Sequence, residues 1–196
     1  MKKRIVCIIS FILFLVTVIL ITNDNKYFDN YIINLFKYKS DILTNIMKII
    51  TFLGSALSII FLTVLLIIVV NGKRNKILIL INVIVTTLLN QLLKNVFQRG
   101  RPIDSIIEES GYSFPSGHSM VSMAFYGFLI YLVYKSNIKY KGLIIGLLSV
   151  LIVLIGISRI YLGVHYPTDV IGGFTLSLSY LLLFIDITKP NFTYVN

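Results

Sequence analysis

Apolar residues in this chain gather in long runs free of charge. The runs cover residues 5–21, 55–70, 77–93, 119–134, 143–157 and 171–185, and none contains Asp, Glu, Lys, Arg or His. A helix needs about 20 mainly apolar residues to cross a bilayer. Each run with its flanks therefore predicts one membrane-spanning helix, six in all. Between the first two runs the pattern changes. Phe28, Tyr31, Ile32, Leu35 and Phe36 recur at helical spacing, and so do Ile42, Ile46, Ile49, Ile50 and Leu53, with Lys37, Lys39 and Lys48 among them. This predicts helices lying in the membrane interface. The expected fold is all-α, a single domain over 1–196 built as a bundle of six transmembrane helices with interfacial helices between the first and second.

Composition agrees with that pattern. Hydrophobic types make up 57% of the 196 residues and charged types 13%, with a mean hydropathy of +0.89. A soluble domain is nearer a quarter charged, so disordered and soluble classes are set aside. The basic start at Lys2, Lys3 and Arg4 also fits a signal peptide, but no small-residue cleavage site follows the first run, which is read as a retained span. Cys7, the one cysteine, has no internal disulfide partner and is read as a small lipid-facing residue.

The net charge of +10 would suggest nucleic acid in a soluble protein. Here the basic residues lie in separate loops and form no single stripe, so no nucleic-acid partner is expected. Basic residues beside spans orient a membrane protein. With six spans the termini share one side, which carries Lys2, Lys3, Arg4, Lys73, Arg74, Lys76, Lys135, Lys139, Lys141 and Lys189. The other side carries Lys26, Lys37, Lys39, Lys48, Lys94, Arg99, Arg101 and Arg159. The margin is ten to eight, and three of the eight have a chemical reason to be there. The expectation is a plasma-membrane protein with cytoplasmic termini and the chemistry on the outer face.

That chemistry lies in two connections on one side of the predicted bundle. The first holds Lys94, Arg99, Arg101, Pro102, Pro115, Ser116, Gly117 and His118, and the second holds Arg159, His165, Pro167 and Asp169. Both histidines of the chain are here. Lys94, Arg101 and Arg159 offer donors suited to phosphate oxygens. Ser116, Gly117 and His118 open an apolar helix whose backbone N–H groups would face an anion. Histidines supply nucleophilic and acid–base chemistry near neutral pH. Asp169, four residues after His165, would take the proton of one ring nitrogen and leave the other free to attack. Arg99 is read as a contact either to a lipid headgroup or to the interface.

Lys94-x6-Arg101-Pro102, Pro115-Ser116-Gly117-His118 and Ser158-Arg159-x5-His165-x3-Asp169 together resemble the three-part signature of the type 2 phosphatidic acid phosphatase superfamily. The six apolar runs are similar to that family's membrane-embedded lipid phosphatases. The resemblance implies His165 as a nucleophile that forms a phosphohistidine, Asp169 as its orienting carboxylate and His118 as the acid for the leaving oxygen. It implies Lys94, Arg101, Ser116, Gly117 and Arg159 as the phosphate-binding set. It implies no metal, no cofactor and no obligate protein partner. The implied substrate is a membrane lipid phosphate: phosphatidylglycerophosphate, phosphatidate or undecaprenyl pyrophosphate. The competing readings are a small multispan transporter, which would place ionisable residues inside its spans, and a non-catalytic lipid-binding membrane protein.

Overall fold

The structure is a computed structural model and describes residues 2–189. Over that range it has eight helices: α1 (Lys2–Thr22), α2 (Tyr27–Leu35), α3 (Asp41–Leu53), α4 (Ala56–Val69), α5 (Lys73–Phe97), α6 (Gly117–Lys135), α7 (Lys141–Tyr161) and α8 (Pro167–Thr188). All six apolar runs fall on helices. Most helices extend past their run by a turn, because the flanking polar residues supply the caps. The side chain of Ser116 accepts from Ser119 N at the start of α6, and Pro167 occupies the first turn of α8, where a missing N–H is harmless.

Five helices, α1, α5, α6, α7 and α8, are long and apolar enough to cross a membrane. α3 and α4 meet at a bend of 48° and make a sixth if they count as one span. The break lies at Gly54 and Ser55, where Ser55 caps α4 with its side chain. α4 alone has 14 residues, roughly 21 Å at 1.5 Å per residue, short of the ~30 Å apolar thickness of a bilayer.

Lipid takes the place of water around such a bundle, so apolar side chains point outward as well as inward. Ile8, Leu57 and Leu143 are 59%, 74% and 64% exposed. The same inversion governs the 22–54 segment. On α3, Ile42, Ile46 and Ile49 face out while Met47 and Thr51 are buried. On α2, Phe28, Tyr31 and Leu35 face out while Asp29 is wholly buried.

Helix contacts inside the bundle use small and polar groups, which let backbones approach and hydrogen-bond where apolar burial gives little drive. The side chain of Asn82 on α5 donates to Ala124 O on α6 at 2.9 Å, and Ser177 on α8 donates to Met120 O on α6 at 2.7 Å. Gly173 is required for this approach: a Cβ there would lie 2.9 Å from Ser116 O. Cys7 lies on the inward side of α1, with Sγ 3.4 Å from Ser179 O on α8, rather than facing lipid. At the site end, Ile59, Phe125, Tyr126, Ile152 and Ile155 form a core where α4, α6 and α7 converge. The Tyr126 hydroxyl donates to Leu53 O at 2.7 Å and fixes the end of α3 beside it.

Candidate active site

The site is built where the 98–116 loop meets the 162–166 loop. Ile106 N donates to Leu162 O at 2.9 Å, so the two loops pair directly. Gly163 permits the contact. Its φ is +73°, and a Cβ would sit 2.5 Å from Asp104 O, so only glycine fits both the turn and the approach. Ser116 N donates to Asp169 O at 3.0 Å and ties the start of α6 to the start of α8. Segments far apart in sequence thus share one end of the bundle.

His165 is at the centre and is 2% exposed. Its Nδ1 lies 3.4 Å from Asp169 Oδ2 and 3.3 Å from Ser113 Oγ. Ser113 itself donates to Asp169 Oδ2 at 2.5 Å, so Ser113 Oγ and the carboxylate both accept from Nδ1–H. That assigns the proton to Nδ1 and leaves Nε2 with its lone pair. Arg101 Nη1 stands 3.2 Å from Nε2. Burial, partly opposed by Asp169, lowers the His165 pKa to about 4, so the ring is neutral at physiological pH.

The Asp169 carboxylate is saturated. Oδ2 also accepts from Tyr166 N at 2.8 Å, and Oδ1 accepts from Arg99 Nη1 at 2.5 Å. Arg99 is therefore engaged inside the protein by two carboxylates, a contact that neither reading of its position in sequence named. It also bonds the buried Asp29 on α2, Nη2 to Oδ2, at 2.7 Å.

Of the other predicted cations, Arg101 stands against Nε2, and Arg159 and Lys94 lie within electrostatic reach of His165 or of its partners. Arg101 donates to the carbonyls of Val164, Ser110 and Gly111 at 2.8, 2.9 and 3.0 Å. Arg159, 1% exposed, donates to Thr51 Oγ1 at 2.8 Å and to Glu109, while its buried Nε has no partner. Glu109 also faces Arg101 at 3.7 Å. Burial works against the Glu109 charge, but Arg159 and Arg101 outweigh it and hold its pKa below the usual carboxylate range. Lys94, in the last turn of α5, donates to Tyr112 O at 2.6 Å. His118 is the second residue of α6 and lies within electrostatic reach of Arg159, His165, Lys94 and Arg101.

All eight sequence-predicted residues are therefore at this end of the bundle, but Ser116 is used differently from the rest. It is fully buried, its hydroxyl caps α6, and its amide is engaged by Asp169. Sequence reasoning missed Asp29, Thr51, Glu109, Ser113 and Thr168. Ser113 alone had a usable signal, three residues before Ser116 in the same loop. Among the described residues, no group of three or more His, Cys, Asp or Glu side chains is arranged to hold a metal ion.

Residues 75–192 match the PAP2 superfamily. Over 102 residues the chain is 45% identical to phosphatidylglycerophosphatase B of Bacillus subtilis, covering 50% of this chain and 49% of that protein. It is 29% identical over 137 residues to an undecaprenyl-diphosphatase of Sulfolobus acidocaldarius, covering 65% and 63%. The chain thus spans between about half and just under two thirds of the length of these curated relatives. In three dimensions it is similar to the crystal structure of the first transmembrane PAP2 type phosphatidylglycerolphosphate phosphatase from Bacillus subtilis. That match has a TM-score of 0.86 and 32% identity, over 96% of this chain and 97% of the other.

Proposed function

The chain belongs to the PAP2 superfamily, and from that membership we propose that this multi-pass membrane protein removes phosphate from a membrane lipid. The observation that supports the reading most is the two-sided setting of His165. Its Nδ1–H is held by the Asp169 carboxylate, and its Nε2 faces Arg101. Such an imidazole has one nitrogen to attack with and a cation beside the group it would attack.

In the proposed reaction the Nε2 lone pair attacks phosphorus in line with the ester oxygen. The P–O bond breaks, and His118 gives a proton to the departing alcohol or phosphate. Water then attacks the phosphohistidine with His118 as base, the P–N bond breaks, and inorganic phosphate leaves. Lys94, Arg101, Arg159 and the Gly117 amide neutralise the three equatorial oxygens. Phosphoryl transfer needs mainly positioning and charge stabilisation, and these side chains supply both, so the proposed reaction requires no metal. The proposed substrates are phosphatidylglycerophosphate, phosphatidate and undecaprenyl pyrophosphate. The relatives named for phosphatidylglycerophosphate and undecaprenyl diphosphate support a substrate of that kind.

We propose further that α3 with α4 forms one bent span, giving six, that α2 lies in the interface, and that the site faces outward with cytoplasmic termini. The charge asymmetry of the connections supports that orientation. Single cysteines in a Cys7→Ser background test it: Ser105→Cys should react with an impermeant thiol reagent in intact cells, and Asn75→Cys should not. The function is tested by phosphate release from the three lipids in detergent, with EDTA present. Release from at least one is expected, with inhibition by vanadate, which adopts the five-coordinate shape of the transition state. Release from none of the three would refute the reading.

A further inference from the structure

Arg99 and Asp29 lie behind the carboxylate that holds His165, away from any lipid phosphate bound at Nε2. Arg99 is 14% exposed at its side chain and Asp29 is not exposed at all. The guanidinium is clamped on several sides. It bonds Asp169 Oδ1 at 2.5 Å, Asp29 Oδ2 at 2.7 Å and Thr168 Oγ1 at 2.7 Å, and its Cζ lies 4.2 Å over the Tyr166 ring. Asp29 in turn accepts from Thr168 N at 2.9 Å and from Thr168 Oγ1 at 2.8 Å. It thereby caps the first turn of α8 from a different helix, where negative charge is favoured. Both terminal nitrogens of Arg99 and both carboxylate oxygens of Asp29 have partners, and the arrangement meets one oxygen of Asp169.

Electrostatics explains why two residues are present rather than one. Arg99 alone would fix Asp169 in place but would also draw off its negative field at His165. Asp29 restores the balance: Asp29, Arg99 and Asp169 together carry a net charge of −1, the same as a lone carboxylate. We propose that Arg99 and Asp29 form a positioning pair for His165. In this arrangement Arg99 fixes Asp169 Oδ1 so that Oδ2 meets Nδ1–H, and Asp29 cancels the charge of Arg99 so that Asp169 keeps its hold on the imidazole. The inference rests on the reading of His165 as nucleophile.

A simple tie between α2 and α8 would use the same contacts, so the test reads charge at His165. The groups whose charge reaches His165 are Asp169 on α8, Arg159 on α7, His118 on α6, and Arg101 and Glu109 in the 98–116 loop, with Arg99 one carboxylate further away. The measurement is the acid limb of kcat/KM against pH, which reports the free enzyme. Arg99→Gln removes a positive charge, favours the imidazolium and should move the limb up by roughly half to one unit. Arg99→Gln with Asp29→Asn removes one charge of each sign and should bring the limb back towards wild type, although kcat stays low by about 10–100-fold. A limb that stays fixed in both variants while kcat falls would reduce the pair to a structural tie and overturn the proposal.

Two further measurements keep the result interpretable. The chain has two histidines, so His118→Asn leaves one imidazole whose titration NMR can follow without turnover. If wild type releases no phosphate from any of the three lipids, the proposed function fails, while this titration still reports whether Arg99 and Asp29 set the His165 proton affinity. If Arg99→Gln does not fold, Arg99→Lys carries the test. It keeps the charge but loses the fork, so the limb should stay in place with kcat down about tenfold. Wild-type kcat in Arg99→Lys would overturn the proposal.

Discussion

The two nitrogens of His165 face environments built on opposite principles. On the Nδ1 side, Asp169 receives Ser113, Tyr166 N, Arg99 and the imidazole, all inside the protein. Both oxygens of Asp169 are taken by these internal donors. On the Nε2 side, the cations are held by substitutes. Arg101 rests on three loop carbonyls, Lys94 on one, and Arg159 on Thr51 and Glu109. In the proposed reaction each of those bonds is exchanged for one to a phosphate oxygen. The difference separates what must be rigid from what must be replaceable. The orientation of the proposed nucleophile is over-determined, whereas the proposed anion cradle keeps a carboxylate, Glu109, among its cations where phosphate oxygens would bind.

Breaking the rigid side should have the largest effect. His165→Ala is expected to abolish phosphate release and any acid-labile phosphoprotein. Asp169→Asn keeps the shape but offers the wrong group to Nδ1–H, and a loss in kcat of about 10³–10⁴ is expected, with KM within a few-fold. Turnover by His165→Ala near the wild-type rate would end the assignment. His118→Ala comes next. Proton donation to the leaving oxygen contributes about 10²–10⁴, and an aryl phosphate needs little of it. The variant should therefore lose at least tenfold more on a lipid alkyl phosphate than on an aryl phosphate, and equal losses would show that His118 does something else.

The replaceable side should respond in binding rather than in chemistry. Glu109→Gln removes a carboxylate that, in the proposed reaction, competes with phosphate for Arg159 and Arg101. KM should fall about two- to fivefold, with kcat little changed, as for an interaction that acts on ground state and transition state alike. A rise in KM would instead make Glu109 a strut for the cradle. The smallest effect is expected at the other end of the bundle. Arg4 and Asp186 form a pair at 3.7 Å with side chains 81% and 54% exposed. Arg4→Ala should change thermal stability by less than about 1 kcal/mol and leave activity unchanged. Comparable damage from Arg4→Ala would erase the contrast between built and incidental ion pairs.

Spans were legible in the sequence because charge-free runs have few alternatives, and the gathering of the eight candidate residues at one end was legible because they fall in two connections on one side of the bundle. The unread part has a physical cause. In the 22–54 segment, apolar stripes such as Phe28, Tyr31 and Leu35 mark the outward face, since the surroundings are apolar. Polar residues between the stripes then face inward, which is where Asp29 and Thr51 act. A water-based reading treats an Asp in that position as solvated surface. Arg99 was likewise seen, but its partners lie 70 residues away in each direction. Glu109 gave no sign either, because an acidic residue in a loop looks the same whether it meets water or two arginines.

Asp29 also has a history within the life of each molecule. Chain synthesis delivers it 70 residues before Arg99 and 139 before Thr168. Until those partners arrive, burying its carboxylate would cost several kcal/mol, so α2 is expected to stay at the water boundary while the middle spans insert. Only the last helix brings the amide, the hydroxyl and the second carboxylate that complete the knot around Arg99. The orientation of His165 and the anchoring of α2 are therefore expected to be completed together, when the last helix joins the bundle.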